Sequence, residues 1–544
     1  MELSKAKRQQ TPNKISKIFA CNREYPVIDK IVVIYVAVLL FSQILLQISP
    51  AMSFLATTPL YSIQTYLGLL GGLLIVVDLF TTKKIWQGKF CICLYAILVL
   101  AALASVRTIS YGTKENLFKL CWAAIQFVLI YSCVHRMDSD SLKRYIRTLF
   151  YILLAIWFVA CCVSLYQFVN QIGYKYVVNP LAKDSSSNRQ GFYDNRLFGI
   201  FYTLNHAAFI SVFFVLINLM CIMKDKRIWV KIVLGVAELV ILCHIILSGS
   251  RSAALSLLVC LTVMAWFVAR NVVRQNGVVK IICPIVVAAL VAVVAVGGFK
   301  VMKAGLARVP YWKEMLVYQM QQNENEAPTE ESTEAPTEET TEAPTEESTE
   351  APTEETTEAP TEEATEPPIA PPEYEEDLLV RDHLEEDASN GRFSIWKDYI
   401  SLYKEIGLLG LSPGNYMPHI LENYPDLYIV EYIRQEYPDK YESGIIYHVH
   451  SGYVMVYVSA GILGFAFLAI FMALCLIRVV AIIIKNKKMS YTFIGAFTVV
   501  LAGAISAVFD EGLFFQNTPH TTMFWFALGV LLMECLAEVK SRKN

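Results

Sequence analysis

Apolar residues along this chain come in long blocks rather than in alternation with polar ones, and several blocks pass the roughly 18 residues that a bilayer span requires. Backbone surrounded by hydrocarbon must satisfy its own N–H and C=O groups, so such blocks predict helices. Twelve spans are predicted, near 30–48, 63–80, 90–106, 117–134, 149–169, 201–222, 229–247, 252–269, 281–299, 452–484, 491–509 and 521–537. The block at 452–484 is long for one span, which predicts a tilt or an extension into the cytoplasm. The fold class is therefore an all-α polytopic membrane protein.

Orientation follows from lysine and arginine. With the N-terminus inside, the internal segments 1–30, 81–89, 135–147, 223–231, 270–280, 478–488 and 540–544 hold 28 basic residues. The short outer loops 49–62, 107–119, 170–198, 248–251 and 510–520 hold 8. Under the positive-inside rule this asymmetry places both termini in the cytoplasm. The chain then divides into a basic cytoplasmic arm (1–29), spans one to nine (30–300), an outward-facing loop (301–451), spans ten to twelve (452–539) and a cytoplasmic tail (540–544). A polar, basic arm before the first span predicts no cleavable leader.

The outward loop has two parts. Five octapeptides of the form APTEESTE cover 327–366, each with three Glu and no basic residue, and a Pro-rich PPIAPP follows. Such a segment has no apolar surface to bury and repels itself, which predicts a disordered tether over 327–372. It reads as a spacer, as a substrate for glycosylation on its Thr and Ser, or as a tolerated insertion. The part from 373 to 451 changes character. Trp396, Tyr399, Ile400, Tyr403 and Ile406 form a helical stripe closed by Gly407, which predicts a small folded helical piece.

Composition supports the membrane reading and adds one exclusion. Hydrophobic residues make up 55% of the 544, against roughly 45–50% in average soluble domains, and the mean hydropathy is +0.44. None of the 13 cysteines lies between 301 and 450, which excludes a disulfide scaffold in the outward loop. Pairs such as Cys91 and Cys93 fall inside spans and read as packing residues.

Polar residues with chemical potential gather at the outward ends of the spans. Arg251, in LSGSRSAALSLL, sits in a tight turn between two apolar helices. It reads either as an arginine snorkelling to lipid headgroups or as a phosphate-binding guanidinium on a helix N-terminus. Arg392 opens the amphipathic helix after Ser389-Asn390-Gly391, and reads either as a solvated surface residue or as a second phosphate ligand. Arg196 is a third candidate, with Asn205 and His206 at the mouth of the next span. His448 and His450 end the loop just before span ten. Histidine titrates near pH 6.5 and is the usual side chain for moving a proton at neutral pH, though an interfacial helix cap explains it too. A metal site is not expected, because no D-x-D motif stands in an outer loop. Glu238 and His244 inside span seven read as a relay or a buried pair.

Four pieces carry a resemblance: RLFGIFYTLNHAAF (196–209), LSGSRSA (247–253), GRFSIWKDYISLYKEIGLLGLSPGNY (391–416) and HSGYVMVYVSAGILG (450–464). In these, in their order and in the large outer loop between spans nine and ten, the chain resembles the bacterial O-antigen ligase and O-antigen polymerase family of membrane glycosyltransferases. The resemblance implies that Arg251 and Arg392, with Arg196 beside them, bind the diphosphate of a lipid-linked donor. It also implies that His450 is the catalytic histidine. His448, Ser250, Tyr453 and Trp396 are the expected supporting residues. A common family form has Asn after the histidine, where this chain has Ser451, and the acidic repeats depart from the pattern.

The implied activity is transfer or polymerisation of glycan from undecaprenyl diphosphate on the extracytoplasmic face, in surface polysaccharide biosynthesis, with no metal and no cofactor. The expected partners are the lipid-linked donor, a glycan or lipid-linked acceptor and the membrane itself, with no nucleic acid. The rival readings are a lipid-glycan transporter or flippase, against which no internal repeat of broken helices is visible, and an envelope scaffold built on the acidic tether.

Overall fold

The computed structural model describes residues 26–136, 139–178, 187–273, 277–325, 372, 378–379 and 391–540; the acidic repeat predicted as a tether lies outside them. Helices dominate. Those that matter below are, in chain order, α1 (Pro26–Leu45), α2 (Ile63–Phe80), α3 (Cys91–Arg107), α4 (Lys114–Ala124) and α5 (Ser139–Val169), then α6 (Leu204–Lys224), α7 (Ile228–Leu247), α8 (Arg251–Val272), α9 (Val279–Ala307) and α10 (Val309–Asn325). After the repeat come α11 (Arg392–Ser401), α12 (Tyr416–Asn423), α13 (Tyr428–Glu436), α14 (Gly452–Lys485), α15 (Tyr491–Phe509) and α16 (Pro519–Lys540).

Among the described residues, eleven helices are long and apolar enough to cross a membrane. The predicted third span is the shorter apolar helix α3, Cys91–Arg107. The chain is an all-α polytopic membrane protein. Two compact units make it up: Ala307–Glu376, which contains α10, and the remainder, which holds every residue discussed below.

The remainder packs as a bundle, with α14 along α3, α15 against α16 and α8, and α6 against α7 and α15. Residues facing the bundle interior, such as Trp157, Phe213 and Trp525, are buried, whereas Ile281, Leu290 and Val293 of α9 present apolar side chains outward, as lipid-facing positions must. α4 continues through a π-helical stretch, Ile125–Ile130.

Two features were not legible in the periodicity. The loop after α5 holds a small antiparallel sheet, β1 (Gly173–Val178), β2 (Ser187–Tyr193) and β3 (Arg196–Gly199), in the order β1-β2-β3. Apolar residues there alternate too briefly to announce strands. The second concerns the stripe that starts on α11 and runs on through the short helix Tyr403–Ile406. The buried row is Ile395, Tyr399, Leu402 and Ile406, while Ile400 and Tyr403, expected to face inward, are exposed. Spacings of four, three and four fit a helix equally well. Arg392, three residues before Ile395, lies on the same face and is half-buried.

The long block at 452–484 forms the 34-residue helix α14, and it is not straight. α14 breaks at Gly461, whose φ is 71°. Backbone groups released by the break find partners in the stretch after α11. The N–H groups of Ile462 and Leu463 donate to the carbonyls of Gly407 and Leu408 at 3.1 and 3.3 Å, and the Leu411 N–H donates to the Val458 carbonyl at 2.8 Å. Such exchange is what a broken helix in an apolar bundle requires. The approach is close: a Cβ on Gly410, itself at φ 89°, would lie 2.6 Å from the Gly461 nitrogen. Further along, Asn415 donates from Nδ2 to the carbonyls of Thr108 and Gly112 at 2.7 and 2.8 Å. Asn116 Oδ1 accepts the Gly414 N–H at 2.7 Å. The Gly/Pro-rich stretch is thus the joint that fixes the 391–450 segment to the bundle.

At the opposite helix ends lies a buried ion-pair network. Arg136 meets Asp78 at 2.7 Å and Asp29 at 3.5 Å, and Lys84 meets Asp29 at 2.6 Å.

Candidate active site

The turn Ser248–Gly249–Ser250 joins α7 to α8 and sets Arg251 at the first position of α8. Ser248 braces it, donating from Oγ to the Ile245 carbonyl at 2.7 Å and accepting the Ser250 N–H at 3.2 Å. Arg196, on β3, donates from Nε to the Ser248 carbonyl at 2.9 Å. Arg196 therefore supports the turn that carries Arg251. The Ser250 hydroxyl is buried with no hydrogen-bond partner among the described residues.

Arg392 follows Gly391, whose left-handed φ of 78° turns the chain into α11. Its guanidinium lies over the Phe509 ring, 5.9 Å from the centroid. Burial lowers its pKa, the Asp510 carboxylate raises it and the Arg251 charge lowers it again. The two arginines, far apart in sequence, act on each other here, beside an acidic residue at the end of α15.

His450 sits on a segment held from both sides. Tyr399 donates from its hydroxyl to the Tyr447 carbonyl at 2.7 Å, and Trp396 donates from Nε1 to the Val449 carbonyl at 3.1 Å. Beyond it, Ser451 Oγ donates to the Ala507 carbonyl at 3.2 Å, the Gly452 N–H donates to the Asp510 carbonyl at 2.9 Å and Tyr453 donates to the Ala504 carbonyl at 2.9 Å. His450 itself has φ 49°. A left-handed conformation in a non-glycine residue costs about 1–3 kcal/mol and persists only where neighbours over-determine it. These bonds do so. Burial pushes the imidazole below its ordinary pKa, with Glu511 as the largest opposing influence, followed by a lowering effect from His448 and a raising one from Asp510. A depressed pKa leaves the ring neutral near pH 7, with a lone pair open to a proton.

The loop between α15 and α16 supplies two acids that sequence reasoning passed over. Asp510 faces His206 Nε2 at 3.6 Å and accepts the Gly512 N–H at 2.7 Å. Glu511 meets His448 Nδ1 at 3.2 Å and accepts from Gln516 Nε2 at 3.3 Å. Both carboxyls are held below the usual carboxylate range against the raising effect of burial, Asp510 by His206 and His520, and Glu511 (to about 2) by His448, Lys119 and His450. The available signal was an Asp-Glu pair in an outer loop with no basic residue to neutralise it. Lys119 and His520 gave no signal, because one sits in the second turn of α4 and the other in the first turn of α16, both ordinary places for a polar residue.

Of the expected residues, the structure gathers Arg251, Arg392 and His450, with His448 reaching Glu511, Trp396 and Tyr453 bracing the His450 segment, and Arg196 and Ser250 on the Arg251 turn. It does not join Glu238 to His244. Glu238 accepts from Asn218 Nδ2 at 2.7 Å, and His244 Nδ1 lies 3.1 Å from Ser211 Oγ. Among the described residues, those suited to a metal are His206, Asp510 and His520, whose ligand atoms lie within 4.8 Å of one another. Direct pairing of His206 with Asp510 accounts for two of the three without an ion.

The arrangement offers two fixed cations for an anion, a neutral imidazole for a proton, and two carboxylates that set the field on the imidazole. Residues 236–469 match the family model described as O-Antigen ligase. The matched stretch takes in Arg251, Arg392 and His450 and leaves out Arg196, His206, Asp510 and Glu511. Comparison with curated proteins, and with solved structures, gives no match.

Proposed function

We propose, from the match of residues 236–469 to the O-antigen ligase family model, that this chain transfers or polymerises glycan from undecaprenyl diphosphate on the extracytoplasmic side of the bacterial inner membrane. Membrane glycosyltransfer of ligase or polymerase type is the family's chemistry; the donor, the face and the residue roles are this proposal. The positive-inside asymmetry supports the face, since it sets Arg251, Arg392 and His450 on the side away from the cytoplasm.

The observation that carries the reading is the convergence of Arg251, Arg392 and His450 at one end of the bundle. In the reaction, the donor's isoprenoid tail lies in the bilayer and its diphosphate rests against the two guanidinium groups. His450 takes the proton from an acceptor hydroxyl as that oxygen attacks the anomeric carbon. The bond from that carbon to the diphosphate oxygen breaks, and its electron pair leaves with the diphosphate. Arg251 and Arg392 balance the charge that grows there, the work that metal-independent transfer asks of fixed cations. Asp510 and Glu511 keep the cluster near electrical balance before the donor arrives.

The test is reconstitution with a single lipid-diphosphate-linked glycan. Products of increasing length identify a polymerase, and transfer only on addition of a different acceptor identifies a ligase. No transfer by the wild-type protein under either condition overturns the proposal.

A further inference from the structure

A groove of about 920 Å³ opens on the far end of the bundle from His450, between α1, α5, α6, α15 and α16. Its floor is apolar and includes Val36, Phe150, Phe214, Ala527 and Val530. Its rim is basic: Arg144, Arg147, Lys224, Lys226 and Arg227 all line it. Asp225 is the acidic residue in the lining, and Arg227 occupies it through two contacts, NH2 to Oδ2 at 2.8 Å and Nε to Oδ1 at 3.1 Å. The other four cations have no ion pair among the described residues. From Phe214 to Lys224 the groove follows α6 for about 15 Å, half the roughly 30 Å of a hydrocarbon core. The length of α7, about 30 Å at its 20 residues, separates this rim from the Arg251 turn.

We propose that this groove holds an anionic phospholipid of the adjacent leaflet, with its phosphate on Arg144, Arg147, Lys224 and Lys226 and its acyl chains against the apolar floor. Basic residues in a cytoplasmic loop need no ligand, since orientation alone favours them. Here they surround the mouth of an apolar groove one leaflet deep, so charge and greasy surface are complementary to the two halves of one molecule. Zwitterionic lipid offers the same chains without the net charge. An undecaprenyl chain is far longer than the groove.

Native mass spectrometry of the full-length protein, released from nanodiscs of mixed phosphatidylglycerol and phosphatidylcholine, tests the assignment. Wild type is expected to retain phosphatidylglycerol selectively. The variants R147Q and K224Q are expected to weaken that retention by roughly fivefold per charge removed. A527F, which fills the groove and leaves the charges in place, is expected to abolish it. Equal retention of both lipids, or undiminished selectivity in A527F, overturns the proposal. Displacement of phosphatidylglycerol by undecaprenyl phosphate at equal concentration also overturns it, by giving the groove to a prenyl lipid.

Discussion

Glu511 Oε1 lies 3.2 Å from His448 Nδ1, in a contact that brings the loop between the last two spans against the end of the 391–450 segment. His450 stands two residues further on, and the Glu511 charge is the largest influence resisting the depression of its pKa. The acid therefore works on the base through the field and through the His448 anchor.

That relationship fixes a pH profile. With His450 titrating below its ordinary value of 6.5, the acid limb of kcat/KM for transfer is expected below pH 6.5. Replacing Glu511 by Gln removes a raising influence, so the acid limb is expected to move to lower pH while the plateau rate falls. An unchanged profile in E511Q would show that the carboxylate acts only in packing.

Glu511 also bears on stability. Its folded pKa of about 2 lies below the ordinary 4.5, so its contribution is present above the unfolded value and is lost as pH falls from about 4.5 to about 2. The Tm of the purified wild-type protein is expected to fall across that window, and to fall less in E511Q.

The two arginines are expected to act in the transition state rather than in folding. R392A and R251A should each lower kcat by about 10²–10³-fold, the range seen when one fixed donor to a developing charge is removed. Lysine at 392 keeps the charge but loses the fork, and is expected to rescue only part of the loss. Steady-state kinetics of the reconstituted variants, with circular dichroism as a control for folding, checks this.

Arg136 offers a stability test away from the site. R136A leaves Asp78 buried without its 2.7 Å partner. Removing one member of a buried pair costs about 3–5 kcal/mol, so thermal unfolding in detergent should show a marked drop in Tm. The double variant R136A/D78A is expected to recover most of it.

The helix break at Gly461 is expected to be equally unforgiving. A methyl group at Gly410 would meet the Gly461 and Ala460 nitrogens at 2.6 and 2.7 Å, where nothing flexible can give way. G410A should displace the 391–450 segment and reduce transfer while the protein still inserts, and protease accessibility of that segment reads the displacement.

Much of this was visible in the residues. Long apolar blocks declared the spans, because hydrocarbon leaves a single chain few alternatives to helix. Arg251 and His450 stood out because each abuts an apolar block where a charge is costly; Arg392 stood out only as the opening residue of an amphipathic helix and through the family resemblance. Periodicity was a poorer guide where two faces of a helix were both aromatic, and so α11 was turned by one position. The kink of α14 escaped because Gly461 is ordinary in an apolar helix; only its contact with Gly410, some fifty residues earlier, makes it a break. Asp510 and Glu511 escaped for a related reason. Acids become informative when their partners are known, and His206, His448 and Lys119 come from three other parts of the chain.

The proposed role of His450 as the base has a direct test. Purified wild type and H450A, reconstituted at equal amounts with a lipid-diphosphate-linked glycan and its acceptor, should be compared by the initial rate of glycan transfer. A loss of about 10²–10⁴-fold is expected in H450A, with insertion and Tm close to wild type. A transfer rate within a few-fold of wild type would contradict it.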